Sequence, residues 1–145
     1  MNKHLRLTLK LLGGAYCLLL LYLLFFAAFR NGTESSIKLV PFQSIIQFCK
    51  DVKWSTFGHW FVNVPGNILA FIPFPFILFL WYPKKLSKFQ QNSIAVLVPI
   101  IIEISQYLSS RGQANVDDVL LNYVGFMIGF WLLTKNLKRF LPKSD

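Results

Sequence analysis

The chain is 145 residues long, 54% apolar and only 14% charged, with fifteen Phe and a formal net charge of +9. Its mean hydropathy is +0.50. A soluble domain carries about a quarter charged residues, so the composition excludes a water-soluble globule, and with it disorder, a coiled coil and a disulfide-stapled secreted module. Two Cys and two His provide no zinc-type ligand set of the usual spacing.

Four apolar segments follow one another. Residues 11–29 form an uncharged run of 19 that ends at Arg30, and residues 60–82 an uncharged run of 23 interrupted by Asn63, Pro65, Gly66, Asn67, Pro73 and Pro75. Residues 94–108 and 119–133 give two further runs of 15 each. A spanning helix needs roughly 20 residues at about 1.5 Å each. The last two runs reach that length only if their polar flanks are helical too, Gln90 to Ser93 before one and Asp117 and Asp118 before the other. Polar helix ends can cross where they face a wet cavity or thinned bilayer. The expectation is an all-α integral membrane protein of four transmembrane helices, forming one domain over residues 1–145.

The first segment has the basic start of a signal peptide (Lys3, Arg6, Lys10). Its apolar stretch exceeds the usual h-region of about 7–15 residues, and Phe26-Ala27-Ala28 lacks a small residue at the −3 position. Cys17 follows Tyr16 rather than Gly or Ala, which disfavours a lipoprotein site. It reads as a retained anchor.

With four spans both termini share a side, which holds Lys3, Arg6, Lys10, Lys84, Lys85, Lys88, Lys135, Lys138, Arg139 and Lys143, ten of the fifteen bases. Arg30, Lys38, Lys50, Lys53 and Arg111 lie on the other, with every acid except Asp145. Both termini are therefore predicted cytoplasmic. The high net charge is mostly this bias, which removes the reason to expect a nucleic-acid partner.

Residues 30–59 form a longer extracytoplasmic segment, with Asn31-Gly32 as a turn and Pro41 as a second break. Beyond it Phe42, Ile45, Ile46 and Cys49 recur at helical spacing, with Gln43, Gln47, Lys50 and Lys53 elsewhere. That pattern predicts an amphipathic helix lying in the membrane interface. Cys17 and Cys49 fall at different depths and form no bridge. Pro83 to Asn92 is a short basic cytoplasmic turn.

Polar residues inside the spans gather toward the outer surface. His59, Asn63 and Asn67 are spaced by four on one face of the second span. Glu103 and Gln106 lie near the outer end of the third, on a face shared with Tyr107 and Ser110. Asn122 follows Asp118 by four on the fourth, and Gly125 and Gly129 continue that stripe as a small-xxx-small pair suited to close packing. Arg111 sits in the short loop between the last two spans. Several readings stay open. Asn63 and Asn67 are either ligand contacts or helix cross-links, and Asp118 is either functional or an N-cap competing with Asn115 and Asp117. His59, between Gly58 and Trp60, reads as interfacial, and Trp54, Trp60, Trp81, Tyr82, Tyr107 and Trp131 read as belt anchors. Glu103 has the least bland account, because an ionisable acid inside a span must be protonated, paired or solvated.

Several blocks resemble the VanZ-like family: Leu39-Val40-Pro41-Phe42, Asn67-Ile68-Leu69-Ala70-Phe71-Ile72-Pro73-Phe74, Glu103-Ile104-Ser105-Gln106, Arg111, and Asp118-Val119-Leu120-Leu121-Asn122 followed by Gly125 and Gly129. The resemblance covers about residues 39–129. It implies a small bacterial multi-pass protein of the cytoplasmic membrane, linked to low-level resistance to teicoplanin, a lipid-bearing glycopeptide. Pro75 stands where the family usually has Gly, which would stiffen or kink the helix. Asn115 stands where many members carry an acid three residues before the matched Asp, with Asp117 as a neighbouring substitute.

Three functions are consistent with residues and resemblance together. In the first, Asn63, Asn67, Gln106, Arg111 and Asn122 line a polar site that binds a lipid head group, a lipid-linked cell-wall precursor or the lipoglycopeptide, so that the protein binds or remodels outer-leaflet components. In the second, a membrane-embedded enzyme acts on a lipid-linked precursor, with Glu103 and Asp118 as acid and base or as ligands for a divalent cation and Arg111 holding a phosphate. In the third, Glu103 relays protons in a transporter; the short spans and missing inverted repeat disfavour it. No Ser-His-Asp or Cys-His arrangement points to an activated nucleophile. The residues name neither a cofactor nor a metal.

Overall fold

The structure is a computed structural model that describes residues 3–26, 37–82, 85–109 and 113–140. The turn at Asn31-Gly32, Arg30, Pro83, Ser110 and Arg111 lie outside the described residues. Helices dominate, and four helical stretches are long and apolar enough to cross a membrane: Lys3–Phe26, Trp54–Trp81, Lys88–Leu108 and Val116–Asn136. The all-α, four-span expectation holds.

The first span is the continuous helix α1, Lys3–Phe26. Its Leu-rich sequence, with Thr8 its one β-branched residue, suits a helix. Gly13, Leu20 and Leu24 are buried, while Leu11, Leu12, Leu18 and Leu19 stay exposed, as lipid-facing side chains do. After it come strand β1 (Ile37–Lys38) and the amphipathic helix α2 (Gln43–Lys50). On α2 the apolar stripe divides. Ile45 and Phe48 are half-buried, Ser44 is buried, and Phe42, Ile46 and Cys49 face outward.

The second span is broken. A 3-10 turn (Trp54–Thr56) leads into α3 (Phe57–Asn63), α4 (Pro65–Phe71) and α5 (Phe74–Trp81). A residue before proline is pushed out of the ordinary helical region, and Val64, ahead of Pro65, sits at φ −111° and ψ −76°. Pro65 then opens α4 at a position where its missing N–H costs nothing. Pro73 causes the second break. Phe76 and Ile77 both donate to its carbonyl at 3.1 Å, and the Tyr16 hydroxyl of α1 donates to the Ala70 carbonyl at 2.6 Å. Pro75 falls in the first turn of α5, where a proline is tolerated, so the helix is interrupted before it and resumes around it.

The third span, α6 (Lys88–Leu108), is 21 residues long. Ser87 and Gln90 form a reciprocal capping box, with Gln90 N–H donating to Ser87 Oγ at 3.2 Å and Ser87 N–H to Gln90 Oε1 at 2.9 Å. That cap recruits the polar flank into the helix and supplies the missing length. Strand β2 (Ala114–Asn115) follows and pairs in parallel with β1, Ile37 opposite Ala114 and Lys38 opposite Asn115. The last helix, α7 (Val116–Phe140), packs against α4, α5 and α6.

The core lies along α7. Phe71, Ala95, Phe126 and Phe130 are buried, with the Phe126 ring 5.4 Å from that of Phe71 and 5.3 Å from that of Phe74. Beside this aromatic column runs the glycine stripe. A Cβ placed on Gly125 would lie 2.3 Å from the Ile68 carbonyl oxygen, and one on Gly129 would lie 2.3 Å from that of Ile72. Only hydrogen fits there, so backbone meets backbone as the small-xxx-small spacing predicts. At the end of the bundle where α1 starts, Lys10 lies over the Trp81 ring (5.1 Å) and Lys135 over that of Trp131 (4.2 Å), as interfacial anchors. Cys17 and Cys49 are both free thiols.

Gly125→Ala and Gly129→Ala should each destabilise the detergent-purified protein by about 1–3 kcal/mol, the range for overpacking a tight contact. Gly14→Ala, with nothing within 4 Å of the added carbon, should be neutral or stabilising by up to about 1 kcal/mol. Thermal unfolding of the three variants checks this; equal melting temperatures would show that the backbone contact is not needed.

Candidate functional site

The end of the bundle opposite the lysine-bearing termini collects the buried polar groups. Glu103 and Gln106 from α6, Asn115 from β2, Asp117 and Asn122 from α7, and Ser44 from α2 are all buried. They meet because α6 and α7 run antiparallel through a short link, which places the last turn of one beside the first turn of the other.

Asn115 is the hub. Its backbone N–H donates to Glu103 Oε2 at 3.1 Å. Its side-chain Oδ1 accepts the Asp117 N–H at 3.1 Å, and its Nδ2 donates to Asp118 Oδ1 at 3.3 Å. Asn115 thus acts as the N-cap of α7, which settles the choice among the three candidate caps. Its two other bonds bring Glu103 and Asp118 to one residue.

Asp117 does something that sequence reasoning missed. Its carboxylate reaches back to the start of α2, accepting the N–H of Phe42 at 2.5 Å, Ser44 at 2.8 Å and Ile45 at 3.1 Å. The first N–H groups of any helix lack internal partners. Phe42 cannot supply an acceptor, and it sits at φ 64° with no side-chain cap. A left-handed backbone at a bulky residue is strained, and three charge-assisted bonds offset that strain. The available signal was the absence of Ser, Thr, Asp or Asn ahead of α2, which left its N-terminus needing an acceptor from elsewhere. Asp117 is therefore engaged in holding α2 rather than facing open space as a substitute acid.

The remaining expected residues divide. Gln106 Nε2 donates to the Leu24 carbonyl at 2.8 Å, joining α6 to the last turn of α1. Its Oε1, like Asn122 Oδ1, is buried with no hydrogen-bond partner among the described residues. Those two side chains are 0% and 1% exposed, and an unsatisfied buried acceptor costs about 1–3 kcal/mol. Asn63 and Asn67 bond instead within their own span, Asn63 Nδ2 to the His59 carbonyl (2.7 Å) and Asn67 Nδ2 to the Asn63 carbonyl (3.1 Å). The Asn67 bond crosses the break at Val64, while the Asn63 bond lies wholly within α3, so neither bond links this span to another. Arg111 lies outside the described residues. Among the described residues no three His, Cys, Asp or Glu side chains form a metal-binding group.

The side chains of this cluster are buried. Space at this end lies beside it, in an open groove of about 590 Å³ along α2, lined by Val40, Pro41, Gln43, Ile46, Gln47, Lys50 and Asp51. Apolar side chains, two amides and a charged pair line one surface, so an amphiphile could lay its tail and head group there together.

A family model described as VanZ/LLP1 matches residues 14–139, most of the chain. No curated protein and no solved structure matches it.

Asp117→Ala should leave three N–H groups without an acceptor and weaken the hold on α2 by about 1–3 kcal/mol. Hydrogen exchange over residues 42–45 should then accelerate about tenfold or more, since 1.4 kcal/mol is a factor of ten. Asp118→Asn, which keeps an oxygen for Asn115, should leave those amides near wild type. Unchanged exchange in Asp117→Ala would mean that α2 is held by other contacts.

Proposed function

The chain belongs to the VanZ/LLP1 family of membrane proteins, and from that membership and its polar end we propose that it binds or remodels outer-leaflet components of the bacterial cell envelope, lowering access of teicoplanin-type glycopeptides. The reading places the protein in the cytoplasmic membrane with both termini inside, because the ten bases at the terminal end follow the positive-inside bias. The α2 end then faces outward, at the depth of lipid head groups.

The observation that carries the reading is the amphipathic helix α2, fixed by Asp117 onto the polar end while Phe42 and Ile46 stay exposed. An apolar face held at fixed depth beside amides and carboxylates suits a ligand with both a lipid tail and a polar head. The candidate ligands are a lipid head group, a lipid-linked cell-wall precursor and the lipoglycopeptide itself. Gln106 and Asn122 supply acceptors that have no partner among the described residues.

A second reading has one observation in its favour. Glu103 and Asp118 both bond to Asn115, so the two acids are near enough to act as general acid and base on a lipid-linked precursor.

Expression of the chain in a glycopeptide-susceptible Gram-positive host should raise the inhibitory concentration of teicoplanin and leave that of vancomycin, which lacks the lipid tail, nearly unchanged. Equal shifts for both drugs would remove the lipid-directed reading. At matched membrane levels Glu103→Gln and Asp118→Asn should each give a graded loss of protection. Near-complete loss in both, with turnover of a labelled lipid-linked precursor by purified protein, would favour the enzyme.

A further inference from the structure

The proposed function leaves the chemistry of the ligand open, and the groove along α2 narrows it. Gln43, Gln47 and Lys50 follow one another at i, i+4 and i+7, forming a single stripe of side-chain donors on the helix. Val40, Pro41 and Ile46 line the same groove. Its volume of about 590 Å³ is in the range of small-molecule sites, about 300–1,000 Å³.

Charge favours an anion. Lys50 and Asp51 both line the groove, and the flanking Lys38 and Lys53 leave the segment from β1 to the 3-10 turn with three bases against that one acid. Asp117, which also touches α2, spends its carboxylate on three of its backbone N–H groups. Exposed apolar residues continue outward from the groove wall, Leu39 and Val40 on one side and Phe42 on the other. A tail leaving the groove would therefore pass along a hydrocarbon-like surface into the bilayer.

We propose that this groove is a site for a lipid with a net-anionic phosphate head group, its phosphate taken by Lys50 with the Gln43 and Gln47 amides and its chain laid along Val40, Pro41 and Ile46. The site rests on the reading of α2 as the ligand-bearing surface. It requires neither teicoplanin nor catalysis by Glu103 and Asp118.

The test is calorimetric titration of full-length protein in detergent with three probes: dioctanoyl phosphatidylglycerol, dioctanoyl phosphatidylcholine and inorganic phosphate. Phosphatidylglycerol should bind saturably and phosphatidylcholine distinctly more weakly. Lys50→Gln should weaken phosphatidylglycerol binding about tenfold, or about 1.4 kcal/mol, and leave the melting temperature unchanged because Lys50 is exposed. Ile46→Gln should lower affinity for the lipid without affecting any binding of inorganic phosphate. Equal affinity for the two lipids, or an unaltered Lys50→Gln, overturns the assignment; inorganic phosphate binding as tightly as the lipid would make the groove an anion site with no lipid role. Teicoplanin susceptibility of the Lys50→Gln strain separates this inference from the wider function. Lost lipid binding with intact protection would keep the site and remove its link to resistance.

Discussion

Three backbone N–H groups at the start of α2 point at one carboxylate, Asp117, across more than seventy residues of sequence. A short amphipathic helix has little stability alone in water or at an interface. This one also begins on a strained left-handed Phe42. Asp117 supplies the missing cap from the first turn of α7. The two-residue pairing of β1 with β2 closes the same junction from the other side. Without that junction α2 would be a loosely attached surface segment, and its groove would have no fixed relation to the buried acids.

The second constraint is that a chain inside a bilayer must satisfy its own backbone. The span Trp54–Trp81 contains three prolines and two breaks, which would be costly in bare hydrocarbon. Tyr16 bonds to Ala70, the Asn67 amide bonds across the break at Val64 to the Asn63 carbonyl, and Pro73 accepts two N–H groups. Gly125 and Gly129 then bring α7 flush with the broken span, so the irregular backbone faces protein rather than lipid. The breaks allow α4 to sit close to α7, and that closeness builds the aromatic column of Phe71, Phe74, Phe126 and Phe130.

Packing at the polar end separates support from access. Asn115 ties Glu103, Asp117 and Asp118 into one hydrogen-bonded unit. The groove lies on the far side of α2, where residues are exposed and tolerant of change. A ligand at the groove would sense the buried unit through the helix between them. Gln106 Oε1 and Asn122 Oδ1, buried at the same end, have no hydrogen-bond partner among the described residues.

Much of this was legible in the chain. Span number follows from apolar runs, the amphipathic helix from the periodicity after Pro41, and the glycine contact from the spacing of Gly125 and Gly129. These are local properties, in which a few neighbouring residues determine the outcome. Family membership was readable from ordered blocks that together cover most of the chain. The bond between Asp117 and α2 was not, because a capping acceptor supplied from another helix leaves no mark in local sequence. Nor could sequence assign Asn63 and Asn67 to their own span and Gln106 to Leu24, since amides at similar depth look alike until the helices are rotated about their axes. Chain chemistry determined which segments enter the membrane; only tertiary packing decided which polar groups hold the fold and which surface stays open, because both depend on distances between residues far apart along the chain.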